Sequence, residues 1–409
     1  MLLRFSVENF RSIRDLAELS MVAVDEEREI VRHPSADDVG VLPAAGIFGP
    51  NASGKTNVLR GLSWLSTAVR WSLRLWDDEV PVDPFVLLES PKPVSSFTVD
   101  LLLKGIRFEY FLDVTSEQVE YEALFYFPEN NRRRLFEREG SSVKVDPERF
   151  PSPSEITRLL TRRVLLLTLL PRIVEDTDIT QANSALRNIE TLGVGLSRRQ
   201  FIPRSTYLAL DDAQAAPDTR ARALALLRYA DLGVTDAEVS REDQEIGSSG
   251  RTLSRTRLRL VHGQGTLARP FEQDQESAGT LEWLRKIGPA LEALNRGTIL
   301  LCDELDASLH PALSVELLHL FQSPETNPRG AQLIFTTHDT NLLNHLNRDE
   351  IWLTHRNDDG STFLRALADF SGKNVEQSRG LERSYLDGAF GALPDIRSSE
   401  VQRTLGLIP

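Results

Sequence analysis

The sequence predicts an α/β fold with a mixed or parallel core sheet, an antiparallel β subdomain and a short helical arm. Three apolar stretches without polar alternation, at 44–48, 298–302 and 331–336, are typical of strands buried on both faces. Helical patterns at 57–72 and 311–321 follow the first two stretches, as the connections of a parallel sheet require. Alternating stretches at 96–103 and 107–114, with a third at 118–126, indicate antiparallel strands beside this core.

Composition narrows the classes of function. The chain has 409 residues, 41% of them hydrophobic, so it can bury one large core or two moderate ones. A formal net charge of −13 argues against nucleic-acid affinity over the whole surface but is compatible with a local basic patch. The single cysteine, Cys302, excludes a disulfide framework and lies in a predicted core strand. No apolar run approaches about 18 residues, so we expect a cytoplasmic protein without a membrane partner.

The N-terminal segment leads to a phosphate-binding loop. Residues 2–10 alternate as in a half-buried strand, 9–12 form a turn, and 20–24 are predicted as a second strand. The stretch 49–56, GPNASGKT, then matches GxxxxGK[ST] in full. Lys55 can reach the β and γ oxygens of a nucleotide, Thr56 can offer a hydroxyl to Mg²⁺, and the following helix directs its positive N-terminus at the same anion. The residues predicted to contact the nucleotide here are Asn51, Ala52, Ser53, Gly54, Lys55, Thr56 and Asn57.

The middle of the chain changes character after residue 150. Residues 151–204 are helical in composition and hold eight arginines against five acidic residues in an otherwise acidic protein. A solvated helical arm explains these charges more simply than a dedicated binding surface, which stays open as the alternative. A helical pattern at 219–229 precedes predicted strands at 234–239 and 256–262. We therefore expect an N-terminal lobe at 1–150, a helical arm at 151–230 and a C-terminal lobe at 231–409.

Chemically capable residues follow the predicted strands of the C-terminal third. Asp303 and Glu304 come directly after the stretch 298–302, at the end of a strand where open α/β sheets bind ligands. One carboxylate can support a Mg²⁺ shell while its neighbour takes a proton from water. His338 ends the stretch that begins at residue 331. If these residues are considered alone, the carboxylates could equally cap a helix, and the histidine could have a purely structural role.

Two further features complete this part of the chain. The turn 276–280, ESAGT, opens an amphipathic helix and can bind a second anion. Residues 351–354 are predicted as an edge strand and 363–367 as another, with helix and loop from residue 382 onward.

Together these motifs resemble an ABC-type ATPase head. The phosphate loop, ESAGT, LLCDE, DASLHP and TTHD occur in the order expected of heads of the SMC, RecF and OLD kind. The chain is most similar to the small prokaryotic stand-alone ATPases of the AAA family, since FxVENFRSI, RYADLGV and YLDGAFGALP also look like that group. The resemblance covers nearly the whole chain. It implies a P-loop NTPase fold and Mg²⁺-dependent hydrolysis of ATP.

The resemblance also implies roles for residues within one chain. Lys55 and Thr56 would hold phosphate and Mg²⁺, and Asp303 would support the Mg²⁺ shell. Glu304 would orient and deprotonate the attacking water, and His338 would be the switch histidine facing the γ-phosphate.

Other roles would be played between two chains. Ser277 and Gly279 would cap the γ-phosphate bound by a partner subunit, and residues 306–310 would form the loop that crosses between subunits. Arg11 matches a position near the nucleotide.

Two positions depart from the family pattern. The first glutamine after the phosphate loop, Gln118, falls in a predicted hairpin, and Ala389 stands where similar proteins tend to carry arginine.

The resemblance implies a homodimer, or a higher homo-oligomer, closed around ATP. Similar proteins are often encoded beside an effector, so we expect a sensor or regulatory ATPase of an antiviral-defence or restriction-linked system that acts with an effector protein in trans. A DNA-repair ATPase that clamps DNA and a slow nucleotide-gated scaffold remain the alternatives. The short arm and the net acidity count against the DNA clamp.

The expected effector would supply what this chain is expected to lack. Only 71 residues follow His338, so we expect no nuclease domain of the kind that OLD proteins carry. The arginines within 151–204 are the expected docking face for the effector.

Overall fold

The computed structural model describes residues 1–34, 39–87, 93–194, 201–230, 233–246, 251–370, 380–390 and 403, with the backbone alone at 242–246 and 251–255. The strands of the described residues are β1 Leu2–Glu8, β2 Ala17–Ser20, β3 Ala44–Phe48, β4 Ser95–Leu103, β5 Ile106–Val114, β6 Val119–Phe127, β7 Arg133–Glu139, β8 Ser142–Val145, β9 Glu190–Leu192, β10 Val234–Ile246, β11 Arg251–His262, β12 Arg269–Phe271, β13 Ile299–Cys302, β14 Gln332–Thr336, β15 Ile351–Arg356 and β16 Thr362–Ala366.

The helices of these residues lie between the strands. They are α1 Lys55–Leu75, α2 Pro153–Leu159, α3 Leu166–Leu169, α4 Thr177–Arg187, α5 Arg204–Leu210, α6 Pro217–Tyr229, α7 Ala278–Arg296, α8 Pro311–Gln322 and α9 Leu381–Leu386. Across the described residues, no helix combines the length and the apolar character that a membrane crossing needs.

The core sheet has the strand order β16-β15-β3-β14-β13-β9. All its neighbouring strands are parallel except β15 and β16. Every residue of β3, β13 and β14 is buried, which confirms the three predicted core strands. Cys302 lies on β13, where burial raises the pKa of its thiol to about 12, as suits a core residue. The carboxyl ends of these parallel strands meet at one edge of the sheet.

The edge of this sheet differs from the prediction. The stretch 351–354 was expected at the edge, but β15 lies between β3 and β16 and pairs with both. The edge strand on this side is β16, and its first residue, Thr362, donates its N–H to the carbonyl oxygen of Ser12. The short connection between β15 and β16 favours an antiparallel hairpin. Pairing with β16 then covers the side of β15 that does not pair with β3.

The antiparallel sheet has the order β2-β1-β4-β5-β6-β7-β8. The predicted hairpins of the β subdomain are confirmed, and the N-terminal strand joins them through its pairing with β4. The predicted second strand is misplaced, since β2 spans Ala17–Ser20 instead of 20–24. Ala17 and Leu19 are the buried residues of β2, and after Ser20 the chain turns away so that Val22 can pair with Val41.

The segment predicted as a solvated helical arm is instead packed into the protein. Its helical character is confirmed, but the apolar run 164–170 is buried in the same core as the antiparallel sheet and α1. Its last strand, β9, pairs with β13 in the core sheet. The apolar side chains decide the packing, while arginines remain exposed on the outside at Arg158, Arg162, Arg172, Arg187 and Arg204. Arg198 and Arg199 lie outside the described residues.

A buried polar network fastens this segment to the antiparallel sheet. Glu122 of β6 is fully buried and accepts hydrogen bonds from the N–H groups of Leu166 at 2.7 Å and Leu167 at 2.9 Å, and from the hydroxyl of Tyr110 at 2.9 Å. Nearby, Arg138 donates to the carbonyl oxygen of Val164 at 2.7 Å. Burial raises the pKa of Glu122, although the charge of Arg138 opposes this shift.

We expect Glu122→Ala to lower the free energy of unfolding by about 2–4 kcal/mol, because it leaves two buried N–H groups without an acceptor. Urea denaturation of the ligand-free protein measures this. Glu120→Ala is the control, since Glu120 lies on the same strand, is half-exposed and bonds to Gln118. Equal losses for the two variants would show that the network does not hold the segment in place.

Candidate active site

A cleft of about 560 Å³ opens beside the carboxyl end of β3. It brings together ten of the residues predicted for the site, which are Arg11, Asn51, Ala52, Ser53, Gly54, Lys55, Thr56, Asn57, Glu304 and His338. Asp303 is not among its lining residues but is hydrogen-bonded to one of them. Ser277 and Gly279 do not line it.

The phosphate loop has a backbone that its residue types permit. Ala52 and Gly54 both have positive φ, at 62° and 100°. A Cβ atom at Gly54 would collide with the side chain of Thr362, so only glycine fits there. The hydroxyl of Ser53 lies 2.6 Å from that of Thr354 on β15, which fixes the far side of the loop. The loop is therefore shaped by the sheet around it before any ligand arrives.

Lys55 is a buried ammonium group with carbonyl partners. Its Nζ donates to the carbonyl oxygens of Gly49 at 2.8 Å and Pro50 at 3.0 Å, and the residue is only 6% exposed. Burial lowers the pKa of Lys55 to about 8, against the opposing charges of Asp303, Asp306 and Glu304. An anion in the cleft would give this cation a counter-charge.

Two threonine hydroxyls converge on one carboxylate oxygen. Oδ1 of Asp303 accepts from Oγ1 of Thr56 at 2.9 Å and from Oγ1 of Thr336 at 2.7 Å. Asp303 is 5% exposed, so the carboxylate is held in place by neighbours and not by water. Hydroxyl and carboxylate oxygens are the donors that Mg²⁺ prefers, and a phosphate-bound Mg²⁺ needs few protein ligands, so Thr56 and Asp303 suit that ion.

Glu304 occupies a strained position at the cleft. Its φ is 56°, in the left-handed region that a residue with a side chain rarely adopts. The N–H of Glu304 donates to Thr336 Oγ1 at 2.8 Å, and the N–H of Leu305 donates to the carbonyl oxygen of Thr336 at 2.9 Å. These bonds turn the chain sharply after Asp303, so two adjacent carboxylates hold different positions.

The loop after Glu304 is tied to the end of β14. Asp306 Oδ1 accepts from the hydroxyl of Thr337 at 2.7 Å and from the N–H of His338 at 3.2 Å. Through these bonds, the loop 306–310 and His338 form one unit at the edge of the cleft. Ser308, within the loop, also has a positive φ of 55°.

The ESAGT turn lies beside that loop and outside the cleft of its own chain. Ser277 begins α7, and its Oγ accepts from the N–H of Thr280 at 3.1 Å. A Cβ atom at Gly279 would lie 3.3 Å from the carbonyl oxygen of Ser308. The preceding Glu276 is bonded to Nε2 of His262 on β11 at 2.8 Å. The turn is thus built as a rigid surface feature next to the loop 306–310.

Several residues that line the cleft were not predicted from the sequence as site residues. They are Ser12, Arg60, Val86, Leu87, Arg356 and Gly360. Ser12 falls within FRSI, part of a stretch that resembles the family. Nothing in the sequence around Arg356 indicates a site. Arg356 lines the cleft only because the hairpin of β15 and β16 brings it there. Gln118 lies at the turn between β5 and β6, where its amide donates to Glu120 at 3.1 Å, and it does not line the cleft.

The family comparison identifies most of the chain with one domain type. Residues 44–344 match the family model described as "AAA domain, putative AbiEii toxin, Type IV TA system". No curated protein matches the chain significantly.

Solved structures similar to the chain include SMC heads. An Smc head bound to the C-winged helix domain of ScpA is 13% identical, with a TM-score of 0.42, and the match covers 91% of this chain and 98% of that one. The SMC head domain from Thermotoga maritima is 11% identical, with a TM-score of 0.37 and coverages of 89% and 98%. A Pyrococcus furiosus Smc head with an extended coiled coil is 11% identical, with a TM-score of 0.41 and coverages of 89% and 96%.

We expect the affinity for a non-hydrolysable ATP analogue to fall about tenfold per pH unit above pH 8. Phosphate binding favours the charged form of Lys55, whose pKa near 8 in the free protein means that the proton must be taken up at higher pH. Titration calorimetry between pH 7 and 9.5 measures the profile, and the phosphates of the ligand are already ionised above pH 8. A constant affinity up to pH 9.5 would contradict the lowered pKa.

Proposed function

The chain belongs to this AAA-domain family of P-loop ATP hydrolases, and from that premise we propose that it hydrolyses Mg²⁺-ATP in composite sites formed by two copies of the chain. One observation carries the proposal. The cleft holds Lys55, Glu304 and His338, whereas Ser277 and Gly279 lie outside it, beside the loop 306–310. A second copy can bring its ESAGT turn to the open side of the cleft.

The residues of one chain would divide the chemistry between them. Lys55 neutralises the β- and γ-phosphates, while Thr56 and Asp303 supply oxygen ligands for Mg²⁺. Mg²⁺ held by Thr56 and Asp303 would supply positive charge beside the phosphate oxygens. Water attacks the γ-phosphorus, the bond to the bridging oxygen breaks and ADP leaves. Glu304 accepts the proton of the attacking water.

The partner chain would complete the site. The ESAGT turn opens the 19-residue helix α7, whose N-terminal N–H groups and dipole favour an anion. Ser277 and Gly279 would meet the γ-phosphate held by the other copy, and His338 would face it from the same chain. ATP would then join two heads that ADP does not.

The cellular role we propose is that of a cytoplasmic regulatory ATPase in a defence or toxin–antitoxin system, working with an effector in trans. The family description names a putative toxin of a type IV toxin–antitoxin system, which supports a setting of this kind. We propose that the effector docks at the exposed arginines of the segment after β8, which are Arg158, Arg162, Arg172 and Arg187.

Purification from the native host without any stoichiometric partner, with or without ATP, would contradict the proposed effector.

Two other roles remain as alternatives within the same fold. If the protein is a DNA clamp, DNA should stimulate its ATPase activity at low salt, and this stimulation should be lost as the salt concentration rises. A nucleotide-gated scaffold would turn over slowly, without a response to DNA.

We expect Glu304→Gln to retain ATP binding and to slow hydrolysis by about 10²- to 10⁴-fold, because the amide cannot take the proton from water. Phosphate release measures the rate, and light scattering should show an ATP-bound dimer that persists. Glu325→Gln is the control, since Glu325 is exposed and does not line the cleft. Hydrolysis by Glu304→Gln at the wild-type rate would mean that another residue is the base.

We expect Ser277→Arg to leave ATP binding by the monomer nearly intact while it blocks dimer closure and hydrolysis. Lys55→Ala, by contrast, should lose nucleotide binding. Each variant spoils a different half of a composite site, so a mixed dimer keeps one intact site and should recover part of the activity. Mixing the two purified variants at several ratios tests this. Mixed dimers that form but stay inactive would rule out the composite arrangement.

A further inference from the structure

The guanidinium group of Arg356 lies at the cleft and has no bonding partner among the described residues. Its side chain is exposed and lines the cleft, and within the described residues it makes no hydrogen bond or ion pair. Other cations of the cleft differ in this respect. Arg11 is paired with Asp83 at 2.6 Å, and Lys55 donates to two carbonyl oxygens. Arg356 is therefore available to a ligand of the cleft.

Strand geometry aims Arg356 at the phosphate loop. Side chains alternate along a strand, so Arg356 shares a face of β15 with Thr354, about 7 Å away. Thr354 contacts Ser53 of the phosphate loop, and the cross-strand neighbour of Arg356 is Thr362, which packs against Gly54. The face that carries Arg356 is the face that covers the phosphate loop.

The hairpin that carries Arg356 is rigidly held. Asp359 accepts from the N–H and the hydroxyl of Ser361 at 2.9 and 2.6 Å, and its carboxylate is paired with Arg14 of the N-terminal segment. The hydroxyls of Thr362 and Ser12 lie 2.6 Å apart. Because the backbone is already ordered, a ligand of Arg356 has to immobilise only one side chain.

The strand order decides which end of a nucleotide lies near Arg356. Asp303 and Glu304 follow β13, which lies with β14 on one side of β3, whereas β15 lies on the other side. In the proposed function, the carboxylates and His338 lie on the side of the γ-phosphate. Arg356 is therefore on the opposite flank, away from the bond that is hydrolysed.

Two apolar side chains, Val86 and Leu87, line the cleft together with Arg356, and Leu87 lies near its guanidinium. A Cβ atom at Gly360 would be 2.8 Å from Cδ1 of Leu87 and 3.2 Å from Nη2 of Arg356, so both side chains border one small gap. Val86 and Leu87 are 68% and 57% exposed, so their apolar surface is accessible to a ligand of the cleft. A flat guanidinium beside apolar side chains suits a purine ring, which can stack on the first and bury its face on the second.

We propose that Arg356, with Val86 and Leu87, binds the nucleoside end of ATP and leaves the γ-phosphate to Lys55 and His338. The inference rests on the proposed function, because it assigns a further part of the same cleft. It predicts that base binding depends on stacking and apolar contact.

The test compares three ligands, namely a non-hydrolysable ATP analogue, ADP and inorganic tripolyphosphate. Arg356→Ala should weaken the ATP analogue and ADP alike by roughly 3- to 30-fold, the range of one desolvated cation–π contact, and leave tripolyphosphate unchanged. Its KM for ATP should rise by the same factor at constant kcat. Leu87→Ser should show the same ligand pattern more weakly. Arg133→Ala, which removes one exposed arginine that does not line the cleft, should change nothing.

Arg356→Lys separates stacking from charge, because lysine keeps the charge and lacks the planar group. Partial rescue supports the proposal. Full rescue, an equal loss of tripolyphosphate affinity, or a loss confined to the ATP analogue would each overturn it in favour of a phosphate contact. Unchanged ATP affinity in Arg356→Ala would overturn it alone, whereas wild-type protein that binds no nucleotide would overturn the proposed function itself.

Discussion

The convergence of two hydroxyl groups on one oxygen atom of Asp303 is the constraint on which the site depends. Thr56 lies in the first turn of α1, Asp303 follows β13 and Thr336 ends β14. Three separate elements therefore meet within hydrogen-bond distance. The same Thr336 hydroxyl accepts the N–H of Glu304 and so holds the strained turn that separates the two carboxylates. A shift of any one element would displace both the proposed metal ligand and the proposed base.

The rest of the fold holds these elements in register from two sides. On one side, the hairpin of β15 and β16 packs against the phosphate loop through Thr354 and Thr362, and it is tied to Ser12. On the other side, β9 pairs with β13 and Leu192 accepts the N–H of Asp303 at 2.9 Å. The core sheet takes strands from all three regions expected along the chain. The segment 151–194 thus contributes to the support of Asp303, and the buried Glu122 links it to the antiparallel sheet.

The proposed composite site is supported by where one chain holds the groups that it would need. The cleft contains the groups proposed to bind phosphate and to accept a proton, while the ESAGT turn lies beside the loop 306–310. Asp306 bonds that loop to the backbone of His338, so a partner that touches the loop also touches the support of the histidine. The hydrogen bond between His262 and Glu276 links the turn to β11 in the same way. In the proposed dimer, contact between two heads would therefore reach the γ-phosphate side of each cleft.

The sequence by itself determined the chemistry of the phosphate side and the strands that carry it. Lys55, Thr56, Asp303 and Glu304 stand in local patterns of a glycine-rich loop and two apolar strands, and such patterns predict both the element and the position of its end. The sequence also predicted an edge strand at 351–354 and a solvated helical arm at 151–204. The structure contradicts the first prediction, and it contradicts the second over residues 151–194, where the apolar side chains are packed into the core. Strand order and burial depend on which distant segments pair, as β9 does with β13, and local periodicity does not encode this. Arg356 reached the cleft for the same reason, because only the folded hairpin sets it beside the phosphate loop and Leu87.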